Sequence, residues 1–307
     1  MAFIEATNIV KDYSGHKALD NFNLNVDEGC IYGLLGPNGA GKSTFIRILN
    51  QITMPDSGKI MFNGHKLCRN DISNIGYLPE ERGLYPKMKV GEQAIYLAQL
   101  KGLSYVEAKR RLIKWFDKFD ITSWWNKNVS ELSKGMQQKI QFITTVLHEP
   151  KVLIFDEPFS GFDPINAELL KQEIIQLKNN GATVLFSTHN MASVEEICDN
   201  ITLLNKSKSI LSGRVSEIKE QFKENTFMLK FKGTPDSIQH LPINIIDSNT
   251  DNMQTTLKIS FDKSINSNEI LRQIIECVDI ISYEETLPSM NNIFIKVVEE
   301  NNYAKQD

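Results

Sequence analysis

Residues 36–44 carry the strongest chemical signal in the sequence. They read Gly-Pro-Asn-Gly-Ala-Gly-Lys-Ser-Thr and fit the pattern G-x-x-x-x-G-K-[ST], between a predicted strand and the start of a predicted helix. Glycines let the backbone curl so that successive N–H groups point at phosphate oxygens, and the helix N-terminus adds partial positive charge. The segment therefore predicts a nucleotide site, in which Lys42 reaches the β- and γ-phosphates and Ser43 holds Mg²⁺. The alternative is a glycine-rich turn that matches by chance. The predicted nucleotide-binding residues are Gly36, Pro37, Asn38, Gly39, Ala40, Gly41, Lys42, Ser43 and Thr44.

Two adjacent carboxylates follow the apolar residues 152–155. Such a run is typical of a parallel strand buried on both faces, and ligands bind at the carboxyl ends of these strands. We expect Asp156 to bind Mg²⁺ and Glu157 to polarise the water that attacks the γ-phosphate. The alternative is a pair of acidic residues that caps the N-terminus of a helix.

A histidine ends a second apolar run, residues 183–189 (Thr-Val-Leu-Phe-Ser-Thr-His). A lone histidine is more often structural, but this one follows a predicted buried strand. We therefore expect His189 to contact the γ-phosphate and, with Lys42 and Glu157, to form the catalytic set.

Residues 132–138, Leu-Ser-Lys-Gly-Met-Gln-Gln, stand directly before another predicted helix. Ser133 is suited to cap that helix and Gly135 permits close approach of another backbone, so the helix start could bind an anion. On its own this signal is weak, because many helices begin with serine.

The elements that must position these residues predict an α/β fold. Residues 1–35 alternate as β-strands do, and residues 90–130 show helical periodicity, followed by a helix over 134–148. Two buried parallel strands, 152–155 and 183–187, are joined by a helix near 166–179. After about residue 220 the pattern predicts strands at 227–232, 255–261 and 280–285, helices at 268–276 and 290–299, and a frayed polar tail at 301–307.

Composition excludes several classes of protein. The net charge of −4 does not suit a general nucleic-acid binder, so we expect no nucleic-acid partner. The four cysteines show no zinc-type spacing and indicate reduced thiols in the cytosol. Neither a signal peptide nor an apolar run of the roughly 18–20 residues that cross a bilayer is visible.

The order of these motifs resembles the ATP-binding cassette (ABC) family over roughly residues 3–220: phosphate loop, helical insert, L-S-x-G signature, acidic strand, histidine strand. The resemblance is to ATPase subunits of bacterial exporters, including a group linked to sodium efflux. It implies a P-loop NTPase core sheet with an antiparallel β subdomain and an α-helical subdomain at about 90–148. The expected domains are a nucleotide-binding domain at 1–220 and a small C-terminal α+β accessory domain at 221–307, which carries no motif with assignable chemistry.

The resemblance also implies roles for single residues. Ser133 and Gly135 would contact the γ-phosphate of ATP held by a second copy, giving a head-to-tail dimer around two ATP. Tyr13 would stack on adenine, although an aromatic residue at a strand end is otherwise part of a core. Asp163, in Ser-Gly-Phe-Asp at 160–163, would signal between the two ATP sites.

Two departures from the family pattern matter. Glu80 stands where the family usually has a glutamine that senses Mg²⁺, and a carboxylate is still an oxygen ligand, so we expect Glu80 to bind the metal. Lys134 and Met136 replace the usual Gly and Gln of the signature, which leaves hydrolysis rate and signature contacts open.

The resulting expectation is an ATP-hydrolysing subunit that uses ATP and Mg²⁺. It would sit peripherally on the cytoplasmic face of the membrane and drive a transmembrane permease on a separate chain, with export favoured over import. Two alternatives remain. One is a soluble ABC-type ATPase that acts on ribosomes, DNA or protein assembly. The other is a scaffold that binds nucleotide without turnover, against which the presence of the catalytic residues argues.

Overall fold

The computed structural model describes residues 2–81, 83–251, 254–262 and 264–303. They form two compact units: one comprises the residues up to Val215 together with those from Val297 onward, and the other is Ser216–Lys296. The strands are β1 (Ala2–Tyr13), β2 (His16–Asp27), β3 (Ile31–Leu35), β4 (Ser57–Phe62), β5 (His65–Lys66), β6 (Ile75–Leu78), β7 (Val152–Asp156), β8 (Thr183–Thr188), β9 (Asn200–Asn205), β10 (Lys208–Arg214), β11 (Thr226–Lys232), β12 (Asn244–Asp251), β13 (Gln254–Ser260) and β14 (Asp279–Thr286).

Nine α-helices are assigned within the described residues. They are α1 (Lys42–Leu49), α2 (Val90–Leu100), α3 (Tyr105–Lys118), α4 (Lys134–Val146), α5 (Pro164–Asn179), α6 (Met191–Ile197), α7 (Val215–Gln221), α8 (Ser267–Cys277) and α9 (Met290–Tyr303). Each helix in this part of the chain falls short of the length and apolar character that a bilayer crossing requires.

The first unit is organised around a six-stranded sheet in the order β10-β9-β3-β8-β7-β6. All neighbouring strands are parallel except β10, which pairs with β9 in the antiparallel sense. Every residue of β3, β7 and β8 is buried, which explains their apolar composition. The predicted α/β fold is therefore confirmed, and the parallel arrangement brings the carboxyl ends of β3, β7 and β8 to one edge.

A second, antiparallel sheet in the order β2-β1-β4-β5 accompanies the first. Buried and exposed residues alternate along much of β2, as expected for a strand with one covered face. Phe22 of β2 lies edge-on to Phe45 of α1, with ring centroids 4.8 Å apart, so the apolar faces of this sheet and of the phosphate-loop helix share one core. The predicted β-rich start of the chain is confirmed.

Three helices, α2, α3 and α4, lie in the chain between β6 and β7, which are neighbouring parallel strands. The predicted helical pattern over 90–130 forms α2 and α3, followed by short 3₁₀ turns at Thr122–Trp124 and Val129–Glu131. The Ser104 hydroxyl caps α3 by accepting a hydrogen bond from the Glu107 N–H, and α4 begins after Ser133.

The second unit is a four-stranded antiparallel sheet in the order β12-β13-β11-β14, with α8 on one face. The predicted strands at 227–232, 255–261 and 280–285 and the helix at 268–276 are confirmed by β11, β13, β14 and α8. Strand β12 was not predicted, because its residues are exposed throughout and show no apolar alternation. The predicted polar tail at 301–307 is wrong for its first residues, since α9 continues to Tyr303; residues 304–307 lie outside the described chain.

Candidate nucleotide site

A cavity of about 370 Å³ opens where the loops after β3 and β7 meet the end of β1. Its wall contains most of the residues that the sequence assigned to nucleotide and metal binding, together with two from β2. The lining residues are Tyr13, His16, Ala18, Pro37, Asn38, Gly39, Ala40, Gly41, Lys42, Ser43, Thr44, Glu80, Asp156 and Glu157.

The phosphate loop is packed so tightly at two points that only glycine fits. At Gly36 a Cβ atom would come within 2.3 Å of the Leu204 carbonyl oxygen, and at Gly41 within 2.4 Å of the Ala18 carbonyl oxygen. Both residues also have positive φ, 146° and 113°, which disfavours a side chain on its own. These two glycines therefore allow the tight backbone turn of the phosphate loop at the start of α1.

Lys42 is nearly buried, with 6% of its surface exposed. Its Nζ donates hydrogen bonds to the carbonyl oxygens of Gly36 at 2.6 Å and Pro37 at 3.2 Å. Burial lowers the pKa of Lys42, and the negative charges of Glu157 and Asp156 oppose this shift. The Lys42 ammonium group therefore lies against the phosphate loop. Oxygens of a bound phosphate could replace the two carbonyl oxygens as its hydrogen-bond acceptors.

Asp156 ends β7 and is a buried carboxylate in the cavity wall. Its carboxylate accepts a hydrogen bond from the Ser187 hydroxyl on the neighbouring strand β8. Burial raises the pKa of Asp156, while hydrogen bonds from Ser187 and Ser43 oppose the rise. Hydroxyl and carboxylate oxygens are the ligands that Mg²⁺ takes in proteins, so Ser43 and Asp156, with Glu80 in the same cavity wall, fit this metal.

The Glu157 carboxylate is held by several contacts from the neighbouring strand β8 and the residue after it. Its Oε2 accepts a hydrogen bond from Thr188 Oγ1 at 3.1 Å, and its Oε1 accepts one from the His189 N–H at 3.0 Å. The His189 ring nitrogen Nδ1 lies 2.7 Å from the same Oε1. Glu157 also has a φ of 49°, a left-handed conformation that costs about 1–3 kcal/mol and that its N–H, bonded to the Ser187 carbonyl, helps to maintain.

The aromatic residue proposed for adenine stands at the end of β1. The Tyr13 side chain is 45% exposed and lines the cavity, which does not suit the alternative of a core residue. The Lys11 ammonium lies 5.4 Å from the centre of its ring. A flat, accessible ring beside the phosphate loop is suited to stack on a nucleobase.

Five predicted site residues are not among the described residues that line the cavity. Gly36 and His189 are hydrogen-bonded to the lining residues Lys42 and Glu157, and the other three lie elsewhere. Ser133 and Gly135, at the start of α4, and Asp163, at the start of α5, are not among the described residues that line the cavity. The Ser133 hydroxyl accepts a hydrogen bond from the Met136 N–H, and a Cβ on Gly135 would meet nothing within 4 Å. The Asp163 carboxylate caps α5 by accepting the Asn166 N–H at 3.0 Å.

Sequence reasoning missed the residues that support the carboxylates. Ser187 and Thr188 hold Asp156 and Glu157, and His16 and Ala18 of β2 complete the cavity wall. The signal for the first pair was available, since two hydroxyl residues directly follow the apolar residues 184–186 at the end of β8. Nothing in β2 distinguished its two residues from ordinary strand positions.

Comparisons with known families agree with this geometry. The profile of the ABC transporter family matches residues 19–160. A second profile, described as the C-terminal domain of DrrA1-3-like ATP-binding proteins, matches residues 213–298, and a profile described as an AAA domain matches 126–195.

Individual proteins give the same result. The chain is 50% identical to the ABC transporter ATP-binding protein YhaQ of Bacillus subtilis, over 70% of this chain and 72% of the relative. It is 32% identical to the lantibiotic transport ATP-binding protein SrtF of Streptococcus pyogenes, over 68% of this chain and 89% of the relative. A solved ATP-binding subunit of an ABC transporter superposes with a TM-score of 0.66 and 32% identity, over 72% of this chain and 93% of that one.

Proposed function

This chain belongs to the ATP-binding subunits of ABC transporters and is an ATPase, and we propose that two copies close around two ATP molecules to drive a separate membrane permease. The observation that carries the proposal is the arrangement around Glu157. A carboxylate held by three hydrogen bonds lies in the same cavity as Lys42 and the phosphate loop.

The residues of the cavity divide the work of hydrolysis. Glu157 accepts the proton of the water that attacks the γ-phosphorus, so that the bond to the β-phosphate oxygen breaks and ADP and phosphate leave. Lys42 compensates the charge on the transferred group, and Tyr13 stacks on the base. Mg²⁺, when bound by Ser43, Asp156 and Glu80, would neutralise charge on the β- and γ-phosphates.

His189 orients the base. With the proton on Nδ1, its ring donates to Glu157 Oε1, and its backbone N–H donates to the same oxygen. The imidazole is 64% exposed, and a ring that also carries a proton on Nε2 can donate from that nitrogen to a γ-phosphate oxygen. The hydrogen bonds from His189 fix the Glu157 carboxylate, and the other side of the imidazole offers a polar group to the substrate.

The position of the α4 start supports a dimer. Ser133 and Gly135 lie outside the cavity lining described for their own chain, and the space beside Gly135 is open. A second copy in head-to-tail orientation would bring this helix N-terminus to the γ-phosphate, where its partial positive charge stabilises the anion. For Asp163, in the loop between Glu157 and α5, the proposed role is to signal between the two sites.

Export through a permease is supported by the relatives. SrtF is named for lantibiotic transport, and the chain resembles it over most of that protein's length. With each described helix too short or too polar to cross a bilayer, the proposed location is peripheral, at the cytoplasmic face of the membrane. The cargo is then selected by the permease, with which the ATPase moves as it closes and opens.

Co-purification tests the transport proposal. The tagged chain is isolated from native membranes in mild detergent and its partners are identified by mass spectrometry. We expect a polytopic membrane protein in a fixed ratio to the chain. Recovery with ribosomes or soluble assemblies, and without a membrane protein, would keep the ATPase mechanism and remove the transport role.

Light scattering tests the dimer. The Glu157→Gln variant is expected to be monomeric alone and dimeric with ATP, because it binds without turnover. The same variant carrying Gly135→Glu should stay monomeric with ATP, since the new carboxylate would face the γ-phosphate. A dimer of the double variant would contradict the head-to-tail arrangement.

A further inference from the structure

Three side chains with metal-binding chemistry converge on the edge of the antiparallel sheet, away from the residues that line the nucleotide cavity. They are His65 of β5, Cys68, and Asp71 in the 3₁₀ turn Arg69–Asn74. One potential ligand atom from each lies within 4.8 Å of the other two. The three positions are spaced three residues apart in the sequence and run from β5 into the 3₁₀ turn that precedes β6.

Asp71 is the centre of this group. It is buried, while His65 and Cys68 are exposed. The His65 Nε2 atom lies 3.0 and 3.1 Å from the two carboxylate oxygens, and the Cys68 N–H donates to Oδ2 at 2.8 Å. Burial opposes ionisation of Asp71, but hydrogen bonds from Cys68 and His65 lower its pKa.

The His65 imidazole is exposed, and a neighbouring aromatic ring restricts its orientation. The His65 ring stands edge-on to the buried Phe62, with ring centroids 6.4 Å apart. This contact limits the directions in which Nε2 can point and keeps it over the Asp71 carboxylate. The backbone role of Asp71, holding the start of the 3₁₀ turn, accounts for the Cys68 N–H contact but requires neither the imidazole nor the thiol.

We propose that His65 Nε2, Cys68 Sγ and one carboxylate oxygen of Asp71 bind a divalent transition-metal ion, with Zn²⁺ the best match. Zinc lies about 2.0–2.3 Å from nitrogen, oxygen and sulfur ligands, so tetrahedral ligands are about 3.3–3.8 Å apart. The distances from His65 Nε2 to the two Asp71 oxygens are already close to this range. The Cys68 thiol is exposed, so Sγ can move closer to the other two ligand atoms. Water completes the fourth position.

The binding step exchanges a proton for the metal. The Cys68 S–H bond breaks as the metal–sulfur bond forms, and its proton leaves to water. His65 takes the tautomer with its proton on Nδ1 and gives its Nε2 lone pair, while Asp71 is already ionised. The other Asp71 oxygen can keep the Cys68 N–H, so the turn retains its shape.

The donor set separates this ion from Mg²⁺. A thiolate and an imidazole select zinc and related softer ions, whereas Mg²⁺ prefers oxygen ligands and retains its water. The exposed Lys66 and Arg69 on the same turn oppose any cation, so the thiolate bond must supply the selectivity. Cellular concentrations of Mg²⁺ should not compete at this turn.

Cobalt is the probe for the test. The purified full-length chain is titrated with Co²⁺ in an excess of Mg²⁺, and the thiolate-to-cobalt absorption band is recorded before the ion is displaced with Zn²⁺. We expect one equivalent, release of one proton, and displacement by zinc. The Cys68→Ser variant should lose the band, and His65→Gln should bind at least about tenfold more weakly.

Cys277→Ser is the matched control. Cys277 is a partly exposed thiol whose Sγ lies 3.7 Å from His240 Nε2, a cysteine–histidine pair in the other unit. This variant should retain the band and the stoichiometry. A band that survives Cys68→Ser, or that Cys277→Ser abolishes, would overturn the proposal, as would the absence of cobalt and zinc binding by a chain that still binds ATP.

Discussion

The nucleotide cavity and the core of the Ser216–Lys296 unit are built on opposite principles. In the cavity Lys42, Asp156 and Glu157 are all less than a tenth exposed. In the Ser216–Lys296 unit the buried residues are apolar: Phe231 and Leu229 are fully buried, and Phe227 stacks on Phe261 with ring centroids 5.1 Å apart. Among its described residues, the buried polar side chains are two threonines.

The difference shows which part of the fold carries the free-energy cost of buried charge. Burying charged groups is unfavourable unless each finds a partner, and the cavity supplies partners from β8 and from the loop's own carbonyls. The buried side chains of the second unit carry no charge, so the burial of apolar surface stabilises it without this cost. Variants in the cavity should therefore change chemistry more than stability, and variants in the second core should do the reverse.

The largest expected effect is on hydrolysis. Replacing Glu157 with glutamine keeps the shape of the side chain but removes the proton acceptor, so ATP turnover should fall about 10²–10⁴-fold while ATP binding remains. Steady-state phosphate release and nucleotide binding by fluorescence measure the two. The matched control is Glu173→Gln, a buried acid paired with Lys118 on α3, which should leave turnover near wild type. Unchanged turnover in Glu157→Gln would place the base elsewhere.

The reverse case is Phe231→Ala. Removing this fully buried ring from the second unit should lower its free energy of unfolding by about 3–5 kcal/mol without changing hydrolysis below the unfolding transition. Chemical denaturation followed by hydrogen exchange in peptides of each unit measures the change. Lys232→Ala, on the exposed neighbour, is the control. Loss of ATP turnover by Phe231→Ala under conditions where it is still folded would contradict the distinction between the two regions.

A smaller effect is expected at His189. Hydrogen bonds to a charged group contribute about 1.5–3 kcal/mol, so His189→Ala should reduce turnover roughly 10–150-fold. ATP affinity should change less, because the phosphate loop is intact. His189→Gln, which can still donate a hydrogen bond, should recover part of the rate. Equal rates for the alanine and glutamine variants would exclude the orienting role.

The smallest effect concerns pH. Burial and, after it, the positive Lys101 lower the pKa of His148 to about 4 from 6.5. The unfolded chain therefore takes up a proton between about pH 6.5 and 4 that the folded chain refuses, and stability of the first unit falls as pH falls through this window. The loss should reach about 1–3 kcal/mol.

His148→Gln should flatten that dependence. Hydrogen exchange at several pH values separates the units, and the Ser216–Lys296 unit should show little of the effect. A pH-dependent loss of exchange protection that is confined to the first unit would support the contrast between the two units. An identical slope in wild type and variant would show that other groups set the acid response.

The sequence predicted the local parts of the site well. The phosphate loop, the acidic end of β7 and the histidine after β8 each follow from a short pattern, and the parallel sheet brings them to one edge. Which residues would meet was not predictable, because the pairing of Asp156 with Ser187 depends on the register of β7 against β8. The same limit hid β12, which is defined by its partner strand and not by its own composition.

Helix ends were the other limit. The residues after Glu299 are polar, which favoured a frayed tail, yet α9 runs on to Tyr303, because polar residues do not by themselves end a helix. The roles of Ser133, Gly135, Glu80 and Asp163 stay predictions, since they concern bound nucleotide, metal and a second copy.

The two glycines of the phosphate loop have a consequence for mutational tolerance. A side chain at Gly36 or Gly41 collides with a backbone carbonyl before any nucleotide arrives. In a library of random variants, both positions should be depleted for failure to fold, whereas changes at Lys42 should yield folded chains that do not bind ATP. Intolerance at neighbouring positions of one motif thus has two origins, the shape of the chain at the glycines and the chemistry of its ligand at the lysine.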